Sequence, residues 1–115
     1  MSAGALKERL RADLKAAMQA RAADEVRVLR SLIAALDNAE AVPAAGTHKY
    51  VPRAFGDPSG EVARQVLDGE AVDAVLASEI DARLSAGAVY ERHDRPEDAD
   101  RLRTEAALIA GYRAG

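Results

Sequence analysis

Between Asp24 and Glu40 the apolar residues Val26, Leu29, Leu32, Ile33 and Leu36 recur at three- and four-residue steps. At about 100° per residue they share one broad face, with Arg27, Ser31 and Asn38 opposite, so the spacing predicts a central helix over about 24–41. Upstream, Leu6, Leu10, Leu14, Ala17 and Met18 repeat in the same way and predict a helix over about 5–21. The pattern breaks at Arg21–Asp24, and Asp24 is placed to cap the second helix. So short a link favours an antiparallel hairpin of about 25 Å.

After Ala41 the periodicity stops. Residues of about 42–69 hold all but one of the prolines and several glycines, and they read as a long loop. Within it Tyr50, Val51 and Phe55 are expected to pin the loop to the helices, and Glu61–Leu67 to add a short strand or helical turn. Helical spacing returns with Val72, Leu76, Ile80 and Leu84, extended by Val75, Gly87 and Tyr90, over about 70–91. Gly87 weakens that helix by up to about 1 kcal/mol relative to alanine unless a neighbour packs closely there. His93, Asp94 and Arg95 make a second turn, and Pro96 suits the first position of a fourth helix over about 96–112, striped by Ala99, Leu102, Ala106, Leu108, Ile109 and Tyr112. The expectation is an all-α domain of four helices, two hairpins joined by a long Pro/Gly-containing loop, in a single unit over residues 1–115.

Composition sharpens this picture. The chain has 115 residues, 49% of them hydrophobic, but only one Phe, three Tyr and no Trp, which suits thin helix-on-helix packing. Cysteine is absent, removing disulfides, thiolate zinc sites and cysteine nucleophiles. The N-terminal stretch is charged within seven residues and forms no apolar run of signal-peptide or membrane-span length, so a cytoplasmic protein without membrane contact is expected. Net charge is −3, divided unevenly: residues 1–36 carry seven Lys/Arg against four acids, the remainder nine against fifteen. The first two helices therefore carry the basic surface, although the sequence pI of about 5.4 lacks the footprint of a dedicated nucleic-acid binder.

Candidate chemistry is sparse. His93, Asp94, Glu97, Asp98 and Asp100 form the densest grouping of potential metal ligands, but their spacing matches neither a calcium loop nor a paired-histidine zinc motif, and acids in a first helical turn complement the helix dipole. Ser31 and Ser78 lie within helices away from either histidine, which leaves no nucleophile–base pair to name. Gly56 and Gly60 flank a proline turn rather than opening a phosphate-cradling helix. No catalytic residue, metal or cofactor is expected. Lys7, Arg11 and Lys15 stand four residues apart on one edge of the first helix, where they serve as a solvated flank or meet phosphates together. With Arg27 they are the candidate binding residues.

The blocks DLKAAMQARAADEVRVLRSLIAALDNAE and EIDARLSAGAVYERHDRPEDADRLRTEAALIAGY resemble the GatB/YqeY family, helical proteins similar to the C-terminal tail of the tRNA-dependent amidotransferase B subunit. The resemblance rests on Asp13, Leu14, Lys15, Ala17, Met18, Leu29, Arg30 and Asn38, then on Glu79, Arg83, Tyr90, Arg95, Leu102, Glu105 and Tyr112. It implies one helical lobe of a family whose members usually continue into a second, here with a long insert between helices two and three. By that resemblance the chain is an accessory module contacting tRNA or a translation-related protein. The class of carbon–nitrogen ligase with glutamine as amido-N-donor would describe the parent complex rather than this chain. It also implies helix-holding roles for Arg30, Glu79, Arg83 and Glu105, edge ion pairs being the physical form this would take. The competing expectation is a protein–protein adaptor or homo-oligomer docking through Ala106, Ala107 and Ala110, without RNA.

Overall fold

The computed structural model describes residues 1–41 and 65–114. Four helices follow in order: α1 Ala3–Gln19, α2 Ala23–Ala41, α3 Gly69–Arg92 and α4 Pro96–Ala114. Among the described residues there is no strand. α1 pairs with α2 and α3 with α4, and α2 also meets α3 and α4, making it the helix the other elements share. Tyr50, Val51, Phe55 and residues 61–64 lie outside the described residues; Gln65–Asp68 are irregular, with the Gln65 N–H donating to the Glu40 carbonyl at 2.7 Å.

Two caps set the helix starts. The Ser2 hydroxyl accepts from the Ala5 N–H at 3.0 Å and so begins α1 two residues earlier than its apolar stripe suggests. Asp68 does the same for α3, accepting from Ala71 at 2.8 Å. Asp24 is not the cap of α2. That helix begins at Ala23, the Ala22 carbonyl takes the first helical bond from Val26, and Asp24 lies in the first turn beside Glu25.

Both hairpins turn the same way, although the two turn sequences share nothing obvious. After α1 the Ala22 N–H donates to Ala17 and the Arg21 N–H to Met18; after α3 the Arg95 N–H donates to Tyr90 and the Asp94 N–H to Glu91. Each is the six-to-one, five-to-two pairing of a Schellman end, with Arg21 (φ 57°) and Asp94 (φ 58°) in the left-handed position usually held by glycine. Three residues thus close one helix and open the next.

The core takes residues from all four helices, with Leu6 and Leu10, then Val28, Leu29, Leu32 and Leu36, then Val72 and Leu76, then Ile109 and Tyr112. Two residues expected on the buried stripes are exposed instead, Met18 at 51% and Leu84 at 47%. Both end a run of four-residue steps, and each such step overshoots a full turn by about 40°, so the fourth member lies about 120° from the first. Ala17 replaces Met18 on the buried line of α1, and on α3 the inward position falls to Arg83 and the buried Gly87. α4 packs against Gly87, where a Cβ would stand 3.5 Å from the Ala99 carbonyl oxygen, an ordinary contact.

Candidate functional site

The polar residues of α2 do not simply face water. Helices pack on both flanks of α2, so Val28 is buried and Ser31 half-buried, and Arg27 and Ser31 turn toward α3 and α4. Arg83 fills the gap. Its Nε donates to Glu105 at 3.1 Å, Nη1 to the Glu79 carboxylate at 3.0 Å and carbonyl at 3.1 Å, and Nη2 to the Ser31 hydroxyl at 2.8 Å. Ser31 in turn donates to the Val28 carbonyl at 2.7 Å. The second oxygen of Glu105 accepts from Arg27 at 3.0 Å, and Arg27 reaches Asp24 at the same distance.

Glu105 is the buried centre of this cluster, 8% exposed, with one arginine from α2 and one from α3 on its two oxygens. Taking a carboxylate out of water costs several kcal/mol unless it is paired and hydrogen-bonded, and here each oxygen accepts from an arginine. The hydrogen bond to Glu105, then that to Asp24, holds the Arg27 guanidinium above its ordinary pKa. The hydroxyl of Ser31 donates to Val28 and accepts from Arg83, and no histidine or carboxylate among the described residues is hydrogen-bonded to it. The cluster therefore locks three helices together rather than presenting a reactive group.

A second polar tie joins α1 to α4. Tyr112, almost fully buried, donates its hydroxyl to Asp13, and the Arg9 guanidinium lies 4.7 Å from the ring centroid. Burial, followed by the Asp13 bond, raises the Tyr112 pKa well above that of a free tyrosine. Next to it on α4, Arg113 grips Asp73 of α3 through two bonds of 2.7 and 2.8 Å, which holds the Asp73 carboxyl below the usual range.

The four candidate binding residues divide into two pairs. Lys7 is tied down: its ammonium contacts Glu40 and also Asp37 at 3.1 Å, and its side chain is only 13% exposed. The Glu40 bond raises its pKa against the opposing effect of burial. Arg27 is half-exposed but holds Glu105 and Asp24. Arg11 and Lys15 are exposed and make no ion pair among the described residues. Arg30 also stands exposed without an ion pair there, unlike Glu79, Arg83 and Glu105, because it lies about 100° round α2 from the buried Leu29.

On the hairpin of α1 and α2 four of the six acids are engaged, whereas Glu8 and Glu25 stand exposed. Asp37 and Glu40 are taken by Lys7, Asp24 by Arg27 and Asp13 by Tyr112, while Arg11, Lys15, Arg21 and Arg30 remain toward solvent. Residues 69–114 carry the acidic excess, six cations against ten acids. At the start of α4, Asp98 is bound by Arg95 at 2.7 Å and Arg101 at 2.9 Å, and no three His, Asp or Glu side chains among the described residues are placed to hold a metal ion. No helix among them is long and apolar enough to cross a membrane.

Arg21 and the Tyr112–Asp13 pair escaped the sequence reading. Asp13 and Tyr112 stand 99 positions apart and no local pattern links them. The left-handed backbone of Arg21 could be read only as a break in helical spacing.

These features define a small all-α domain of two like-turned hairpins, locked by a buried polar cluster. A family model described as Yqey-like protein matches residues 7–114, nearly the whole chain, and the protein belongs to that family. No curated protein and no solved structure matches the chain.

Proposed function

We propose that the protein is an accessory module of translation, without chemistry of its own, that contacts tRNA through the outer face of the α1–α2 hairpin in the cytoplasm. One observation carries the reading: on this hairpin Arg11, Lys15, Arg21 and Arg30 are exposed and make no ion pair among the described residues, against two exposed acids, Glu8 and Glu25. Exposed cations free of ion pairs attract phosphates, and the resulting affinity falls steeply with salt. Lys7 supports the face by fixing α2 rather than by touching RNA. The glutamine-dependent carbon–nitrogen ligase chemistry belongs to the enzyme whose tail this family resembles, and the purified chain is expected to release no ammonia from glutamine with charged tRNA present.

The test is fluorescence anisotropy with labelled tRNA across a salt series, comparing the parent with Arg11→Glu/Lys15→Glu. The double variant should lose most of its affinity and keep its fold by circular dichroism. Unchanged binding removes the assignment.

A protein-docking reading has its own support in an open groove of about 580 Å³ between α2 and α3, lined by Ala34, Ala35, Ala74 and Val75 among others. Small side chains there permit close approach of another helix. On this reading light scattering would show a salt-insensitive dimer, or a complex with a partner, with no RNA affinity.

A further inference from the structure

We propose that the tip of the α1–α2 hairpin is a docking shelf for the sugar–phosphate backbone of double-stranded RNA. This rests on the RNA-contacting reading above and shifts its centre from the middle of α1 to the turn. Met18, Arg21, Ala23, Val26, Arg27 and Arg30 surround an open hollow of about 620 Å³. Three of the six are arginines and none is an acid. Arg21 and Arg30 have no ion pair among the described residues, while Arg27 is fixed in place by Glu105 and Asp24. Lys15 lies three residues before Met18 and Arg11 seven, so a cationic edge of about 10 Å leads into the hollow.

Arg21 adds an independent argument. It occupies a left-handed position, φ 57°, where glycine would sit without strain, yet its side chain forms no ion pair among the described residues that would repay the strain. A long cation held at such a position projects from the very end of the hairpin.

The chemistry of the hollow selects the occupant. Methionine and arginine also occur at protein interfaces, but those are anchored by aromatic side chains, and none lines this hollow, whose apolar surface is Met18, Ala23 and an edge of Val26. Single-stranded nucleic acid is held by stacking its bases on aromatic rings, and no aromatic side chain lines this hollow. Tyr112 is buried and Tyr90 lies beneath Arg95. Dispersed guanidinium groups without a stacking platform suit the regularly repeated phosphates of a duplex, each fork matching two phosphate oxygens. Recognition would be by shape and charge, indifferent to sequence.

The full chain is titrated by anisotropy into a labelled RNA duplex of about 20 bp and into single-stranded polyadenylate of equal length. The duplex should bind at least about tenfold more tightly, and Arg21→Gly/Arg30→Ala should weaken it about tenfold, while Arg92→Ala on the other hairpin changes nothing. Arg21→Gly should melt no lower than the parent, which separates lost binding from lost folding. Equal affinity for the single strand, an unchanged tip variant, or displacement of the duplex by polyglutamate at equal charge would overturn the shelf. If Arg11→Glu/Lys15→Glu abolishes binding and the tip variant does not, the shelf falls and the RNA reading stands. Absence of binding to any RNA overturns both.

Discussion

Glu105 offers the sharpest test of how the two hairpins are held. Replacing it with alanine leaves Arg83, whose side chain is 14% exposed, without its anionic partner on α4, although Glu79 and Ser31 still accept from it. Removing one member of a buried pair typically costs about 3–5 kcal/mol. The remaining bonds to Glu79 and Ser31 place this case at the low end, and alanine returns a few tenths through helix propensity, so the expected loss is about 3 kcal/mol. The Arg27 arm adds little, since that guanidinium is more than half-exposed and screened by water. Urea unfolding followed by circular dichroism should show a lower midpoint with an unchanged slope, and melting should fall by roughly 10 °C. Arg83→Met with Glu105→Leu should lose much less than the two single changes together, because an apolar pair leaves no stranded charge. A Glu105→Ala loss under about 1 kcal/mol would refute the reasoning, because it would mean that water already fills the cluster.

The other predictions concern single positions. Gly111 is helical with open space where a Cβ would go, so Gly111→Ala should stabilise by up to about 1 kcal/mol in the same urea assay. Gly87→Ala should be neutral or stabilising, since the added Cβ meets α4 at ordinary contact distance; a marked loss would show the helices to be closer than described. Tyr112 is held protonated by burial and by Asp13, so above about pH 10 the unfolded chain releases this proton while the folded one keeps it. Stability should therefore fall as pH rises from that point, and Tyr112→Phe, though less stable at neutral pH, should show a shallower decline. Asp73 works in the opposite direction: with its folded pKa lowered by Arg113, its contribution is full above about pH 4 and disappears as acid protonates it, a loss that Asp73→Asn should not show.

Periodicity alone places all four helices and both short turns, because an apolar stripe at helical spacing is a local signal. It fails where a count of fours is taken as a straight line: Met18 and Leu84 drift off the buried face, and Ala17 and Arg83 occupy it instead. It also treats α2 as having one buried face, whereas helices on both flanks draw in Val28 and Ser31. Glu79 and Arg83 stand four residues apart on one helix, but the burial of Arg83 and its link to Glu105 depend on α4 coming back across 22 residues. Among the candidate cations, sequence spacing grouped Lys7 with Arg11 and Lys15, since it cannot see that Asp37 and Glu40, on the antiparallel helix, arrive beside Lys7 alone.

The central claim is that the α1–α2 hairpin presents an anion-binding face, and the salt dependence of tRNA binding by the unmodified chain tests it most directly. With Arg11, Lys15, Arg21 and Arg30 each meeting a phosphate, log affinity should fall against log salt with a slope of roughly −3 to −4, or about 100-fold between roughly 50 and 200 mM. A slope near zero, or no binding at the lowest salt, would contradict it.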